Sequence, residues 1–322
     1  MNPRNILRSA LGLVIAGAVA SCAWAQYPDR AVRLVVPFPP GGGADILARS
    51  LAPKLSEQLR QQVVVENRPG ANGAIGFQAV ASAPPDGYTL LLAHLSGFAV
   101  NPLLSKVAYD PVKDFAPVAM LASTPSVLIV HPSFPANSVK ELIDRAKAGA
   151  TLTYGTPGNG NPNHIAGELF KSATGVSLVH APYKGAALVI NDLIGGHIPL
   201  AFVTLPAALS HVRSGKAKAL GLTAEKRSAA APDIPTMAES GVTGVEYSEW
   251  LAIVAPGATP RPVIMRLSED INAAMRAPDL AKRLAEQALE PQSSTPDAFA
   301  ALIRGDIERL GKVIRQAGIK AE

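Results

Sequence analysis

Short apolar runs alternating with helix-spaced segments constrain this chain more than any other feature. VRLVV (32–36) precedes ILARSLAPKLSEQL, whose apolar residues recur at helical spacing across about 44–61; VVVE (63–66), a helix over 74–83 and YTLLLA (88–93) follow. Runs of four to six apolar residues bounded by turn signals are strands, and strands separated by helices are consecutive right-handed βαβ units. The expected fold class is α/β with mostly parallel sheets.

The pattern restarts around VLIVHP (127–132). A helix over 139–148, the strand and loop LTYGTPGNGNPNH, VSLVHAPYKG with its helix, IPLAF with its helix, and KALGLTAEKR form a second α/β unit. EYSEWLAIVAPG (246–257) is again apolar and extended, and the remainder is almost wholly helical. Helices without strands cannot build such a domain alone, so they are expected to dock on the first sheet. Two crossings, near 127–132 and 248–255, then join two lobes: 26–128 with 253–322, and 129–252. A cleft between hinged lobes follows.

Residues 1–25 differ in kind. Arg4 and Arg8 precede the apolar LGLVIAGAVA, and Ala23-Trp24-Ala25 is a small-x-small cleavage pattern, the marks of a secretory signal peptide with Gln26 as the mature N-terminus. Cys22 is the only cysteine, and VASC (19–22) also resembles a lipoprotein box, so lipidation at Cys22 stays open as the alternative. Export places the protein in the periplasm, as a soluble chain without disulfides. The formal charge of +5 falls to +3 without Arg4 and Arg8; with 17% charged residues and no basic cluster, a nucleic-acid partner is not expected.

The glycines fall at one kind of place. PFPPGGGAD (37–45) lies between a strand and a helix, where Gly41, Gly42 and Gly43 can turn tightly and bring backbone N–H groups to a helix start, an arrangement that favours anions. A nucleotide fingerprint fails, because the third glycine would fall at Ile46 and no Gly-Lys-Ser/Thr follows. Asp45 is the expected helix cap. YGTPGNGNPNH (154–164) repeats the placement, APYKGA (181–186) repeats it again, and HLSGFAVNP (94–102) adds Ser96 and Gly97 at another strand end. Ligands of open α/β sheets bind outside the carboxyl ends of the strands, so these loops are expected to converge on one cleft.

These stretches, together with VVVENRPGANGAIG, PPDGYTLLLA, VHAPYKGAALVINDLIGGHI and PDIPTMAESG, resemble the Bug receptors, the periplasmic substrate-binding components of tripartite tricarboxylate transporters. The likeness extends over nearly the whole mature chain. It implies a two-lobed Venus-flytrap fold of type II-like periplasmic binding proteins, with two crossover segments at the hinge. It also implies a small carboxylate ligand (a di- or tricarboxylate, an amino acid or an aromatic acid), membrane permease subunits as partners, and a monomer. By the same resemblance, Phe38, Pro39, Gly41, Gly42, Gly43, Ser96 and Gly97 meet the ligand from one lobe. Thr156, Asn159, Gly160, His164, Tyr183, Lys184 and Gly185 meet it from the other, and Thr204 stands at the rim within Phe202-Val203-Thr204-Leu205-Pro206, where many relatives carry Phe-Asp-Asn-Leu-Pro.

Two other classes compete with a transport receptor. A sensor would present the same ligand to a kinase. An exported enzyme would need a catalytic set, but there is no Gly-x-Ser-x-Gly elbow and no His-Glu-x-x-His motif. His164 and Glu168 could clamp a metal, yet no third ligand is in sight, and His94, His131, His180, His197 and His211 are scattered. Neither a metal nor a cofactor is expected.

Overall fold

A computed structural model describes residues 27–41, 43–149 and 152–319. The signal segment, Cys22 and Gly42 lie outside the described residues. The first sheet is laid down by β1 (Val32–Val36), α1 (Gly43–Leu59), β2 (Val63–Asn67), a turn of 3-10 helix at Ala71–Gly73, α2 (Ala74–Ala81) and β3 (Thr89–His94). Every residue of β3 is buried, as a strand sandwiched between helices requires. Two short helices, α3 (Leu95–Ala99) and α4 (Asn101–Leu104), lead to β4 (Phe115–Val130), a 16-residue strand.

The second lobe follows: α5 (Val139–Lys147), β5 (Leu152–Thr156), α6 (Pro162–Thr174), β6 (Leu178–Pro182), α7 (Ala186–Ile194), β7 (Leu200–Thr204), α8 (Leu205–Arg213) and β8 (Lys218–Leu222). Then β9 (Ser248–Pro256) returns to the first lobe, followed by α9 (Arg261–Met275), α10 (Pro278–Glu286), β10 (Glu290–Pro291) and α11 (Pro296–Ala317). The C-terminal helices do dock on the first lobe: α9 packs on α1 and β4, and α11 packs on α3.

Strand order is β2-β1-β3-β9-β4-β7-β5-β6, with β8 and β10 also paired to β4. β1 pairs in parallel with β2 and β3, and β5 with β6 and β7, but every pair made by β9 or β4 is antiparallel. The sheet is therefore mixed rather than mostly parallel, because the two strands that cross between the lobes run in opposite directions. Along β4 the partner changes: Phe115 to Pro125 pair with β9, and Ser126 to Val130 pair with β7 and β8. The chain returns where Tyr247 N–H donates to Thr223 O and Ser248 stands opposite Pro125.

One apolar cluster lies under α1, α9 and α10, a second under α7 and α8, and a third continues through both lobes from Phe77, Phe98 and Phe299 to Phe170 and Phe202. Burial of this area is the main favourable term in folding. The lobes thus share apolar packing through this third cluster.

Candidate functional site

Each glycine loop is tied by its own short polar side chains. In the first, Asp45 accepts from Gly41 N–H at 2.9 Å, from Asn67 Nδ2 at 2.9 Å and from Arg49 Nε at 3.0 Å. Burial alone would raise its carboxyl, but these bonds outweigh it and hold the group below the usual carboxylate range. Asp45 is thus a clasp on the loop, reaching back before the helix, while Phe38 is half-buried and Pro39 and Gly41 are exposed. Phe38 lies over His94 with ring centroids 4.7 Å apart.

At the end of β3, Ser96 is fully buried. Its N–H and hydroxyl donate to Glu249 at 3.1 and 3.3 Å, and Gly97 N–H approaches His94 Nδ1 at 3.3 Å. Glu249 also accepts from Tyr247 OH at 3.0 Å. A Cβ on Gly97 would lie 2.1 Å from the Phe77 ring, so glycine is required there by packing. A protein carboxylate thus occupies the donors that the sequence assigned to a ligand at this strand end.

In the second lobe, Asn161 caps α6 by accepting from His164 N–H, and His164 Nδ1 in turn accepts from Gly160 N–H at 3.0 Å. Thr156 Oγ1 donates to Gly158 O and lies 2.7 Å from His180 Nε2. The His164 and His180 rings stack at 3.8 Å and 10°. Desolvation lowers both imidazoles from 6.5 to about 4, and Lys171 adds to the effect while Glu168 opposes it. Glu168 is occupied: Tyr154 OH donates to it at 2.5 Å and Lys171 Nζ at 2.8 Å, while His164 Nε2 stays 3.8 Å away. Among the described residues no group of three or more His, Cys, Asp or Glu could hold a metal ion.

Tyr183 N–H donates to Thr156 O and Gly185 N–H to Pro157 O, joining the next loop to this one. Tyr183 OH donates to Asp192 at 2.8 Å; burial first, then that bond, raises the phenol to about 12. Lys184 is exposed, Asn159 half-buried, and Gly185 begins α7 with no side-chain cap on its first turn. Thr204 ends β7 directly opposite Ser126, where β4 changes lobes.

Of the residues named from the sequence, Thr156 bonds Tyr183, Gly160 bonds His164, the His180 ring links the two pairs, and Gly185 bonds the adjoining Pro157, while Phe38 sits beside the His94–Gly97 strand end. Gly160 lies against the first lobe's short helices, where a Cβ on it would meet Leu104 Cδ1 at 2.4 Å and Val100 Cγ1 at 3.9 Å. A second link runs from Asn163 through Ser126 to Thr223. Sequence reasoning missed His94 and Glu249, which are 155 residues apart; the signal available was a histidine closing an otherwise apolar strand, YTLLLAH.

A cavity of about 820 Å³ lies elsewhere on the lobe junction, lined by Ser123, Thr223, Glu246, Trp250, Glu290 and Asp306 among others, and by none of the residues named from the sequence. Its ionisable lining is Glu225, Glu246, Glu290 and Asp306 against Lys226 and Arg309, an acidic excess that repels anions.

Two α/β lobes joined by crossing strands are the fold of a periplasmic binding protein. The chain belongs to the tripartite tricarboxylate transporter family receptors, whose family model matches residues 47–319. It is similar to protein BugT of Bordetella pertussis, 37% identical over 99% of each chain. Among solved structures, an R. palustris protein with adipate is 36% identical with a TM-score of 0.83, covering 92% of this chain and all of that one. MatC from Rhodopseudomonas palustris with bound malate is 30% identical with a TM-score of 0.78, covering 89% of this chain and all of that one. The family is one of receptors, and the solved relative BugD is a periplasmic binding protein.

Proposed function

We propose that this protein is an extracytoplasmic solute receptor that closes two lobes, 26–128 with 253–322 and 129–252, around a small carboxylate. It delivers that acid, as a monomer, to the membrane permease subunits of a tripartite tricarboxylate-type transporter. The observation that carries the reading is that Gly160, in a glycine loop of the second lobe, lies against Val100 and Leu104 of the first, in a family whose solved relatives hold adipate and malate. Phe38, Pro39, Gly41, Gly42, Gly43 and Thr204 would serve from the first lobe and the hinge rim, with Ser96 and Gly97, whose donors are taken up by Glu249 and His94, fixing the strand end behind them. Thr156, Asn159, Gly160, His164, Tyr183, Lys184 and Gly185 would serve from the second. Several neutral N–H donors at helix starts can stabilise a carboxylate without a formal cation. Closure then shifts the open and closed populations that a membrane partner distinguishes. The segment before Gln26 would direct export and be removed, with Cys22 in it.

The test is a thermal-shift screen of the chain from Gln26 onward against mono-, di- and tricarboxylates, with sugars and inorganic cations as controls. An acid at about 100 times its dissociation constant adds roughly 2.7 kcal/mol to stability. Stabilisation by a sugar or cation together with silence from every acid overturns the reading.

A further inference from the structure

His94 is 2% exposed, and its Nε2 has no hydrogen-bond partner among the described residues. Its other nitrogen, Nδ1, lies 3.2 Å from Glu249 Oε1. The carboxylate is well anchored, since Ser96 N–H, Ser96 OH and Tyr247 OH all donate to it. The imidazole is held between Phe38 at 4.7 Å and Phe77 at 5.3 Å, the second edge-on. Opposite Nε2 the chain carries Gly73, where a Cβ would come within 2.8 Å of that nitrogen. Ala71 and Asn72 lead to it with left-handed φ of 46° and 50°, a strained turn that non-glycine residues rarely adopt. A buried nitrogen without a partner is costly, and here the fold aims it at the strand-end loops of β1, β2 and β3.

We propose that His94 Nε2 donates to a carboxylate oxygen of the bound acid, with Glu249 as the positioning residue, so that capture of the acid is accompanied by proton uptake on the imidazole. This rests on the carboxylate reading above. With a ligand oxygen at Nε2 and Glu249 at Nδ1, each ring nitrogen faces an anion, and only the doubly protonated ring donates to both. Without the acid, an ammonium-like N–H at Nε2 would be buried and unpaired, so the ring keeps a single proton. Gly97 N–H also approaches Nδ1 at 3.3 Å, a contact the doubly protonated ring gives up in favour of Glu249. Glu249, from β9, is the only charged group facing the ring among the described residues; the contacts from the loop before α1, from the 71–73 turn, from α2 and from α3 are Phe38, Gly73, Phe77 and Gly97. Half-buried Phe38 is the cover that must shift for an oxygen to reach Nε2.

Calorimetric titration of malate, adipate, citrate and benzoate at pH 7.5, in HEPES and in Tris, reads the proton directly, because the apparent enthalpy then depends on the buffer's ionisation enthalpy. The expected result is net proton uptake with any acid that binds. His94→Phe keeps a ring between Phe38 and Phe77; it should weaken binding about 10- to 100-fold, the range for a charge-assisted bond, and abolish the buffer dependence. If that variant loses its near-ultraviolet circular dichroism, His94→Gln, which donates but cannot titrate, should bind without proton uptake. Glu249→Gln should reduce proton uptake. Buffer-independent binding to the wild type, or undiminished affinity in His94→Phe, overturns the inference and leaves the receptor reading standing. Silence from all four acids in the wild type overturns both.

Discussion

Mild acid should unlock the second lobe before it affects ordinary carboxylates. The perturbation is a shift from pH 7 to pH 4.5, and the responders are the stacked imidazoles of His164 and His180, both moved from 6.5 to about 4 by desolvation. Both rings are held neutral in the fold, so below pH 6.5 the unfolded chain binds more protons than the folded one. Stability is therefore complete above about 6.5 and is lost as the pH falls towards 4. A shift of this size is worth roughly 3.4 kcal/mol per ring at its limit, taking 1.36 kcal/mol per unit. His180 is half-buried and part of its shift is repulsion from His164, so the full values do not add. A combined loss of about 3 to 5 kcal/mol is expected, a large share of the roughly 5 to 15 kcal/mol typical of folded proteins. Urea unfolding at half-unit steps from pH 7.5 to 4.5 measures it, and His164→Asn should flatten roughly half of the slope. A wild-type midpoint that stays constant from pH 6.5 to 4.5, or a slope unchanged in His164→Asn, refutes the reasoning.

Two further outcomes follow from the lobe junction. Gly160→Ala places a Cβ 2.4 Å from Leu104 across the lobes at a residue with φ of +67°; small-angle scattering should show a larger radius of gyration, and unfolding a loss of about 1 kcal/mol. Thr223→Val removes the hydroxyl that accepts from Ser126 N–H at 3.0 Å and donates to Tyr247 O at 2.5 Å; the buried groups left unpaired should cost about 1 to 3 kcal/mol in denaturant unfolding, and an unchanged midpoint contradicts the hinge bonding.

Strands that are apolar throughout, such as VRLVV and YTLLLA, were legible because burial on both faces leaves no other composition. The longer helices end within a few residues of the sequence reading, whereas HLSGFAVNP, read as a loop, contains α3 and the start of α4. β4 was legible only in its last residues: Pro117 and Pro125 and the small residues between them break the strand pattern, and two register shifts against β9 accommodate them. The loops were recognisable from their glycines, but the destination of their N–H groups was not. Gly41 to Asp45 and Gly160 to His164 are local bonds a sequence can suggest. The pairing of His94 and Ser96 with Glu249 depends on β9 returning beside β3, which no spacing reveals.

That return has a consequence for how the molecule is made. β9 is the wedge between β3 and the first half of β4, bonding Leu91–His94 on one side and Phe115–Pro125 on the other. A ribosome delivers both of those neighbours long before Ser248, while the intervening second lobe can complete its own parallel strands. The earliest-synthesised half of the protein is therefore the last to finish, waiting with two bare strand edges open to misassociation until the wedge arrives.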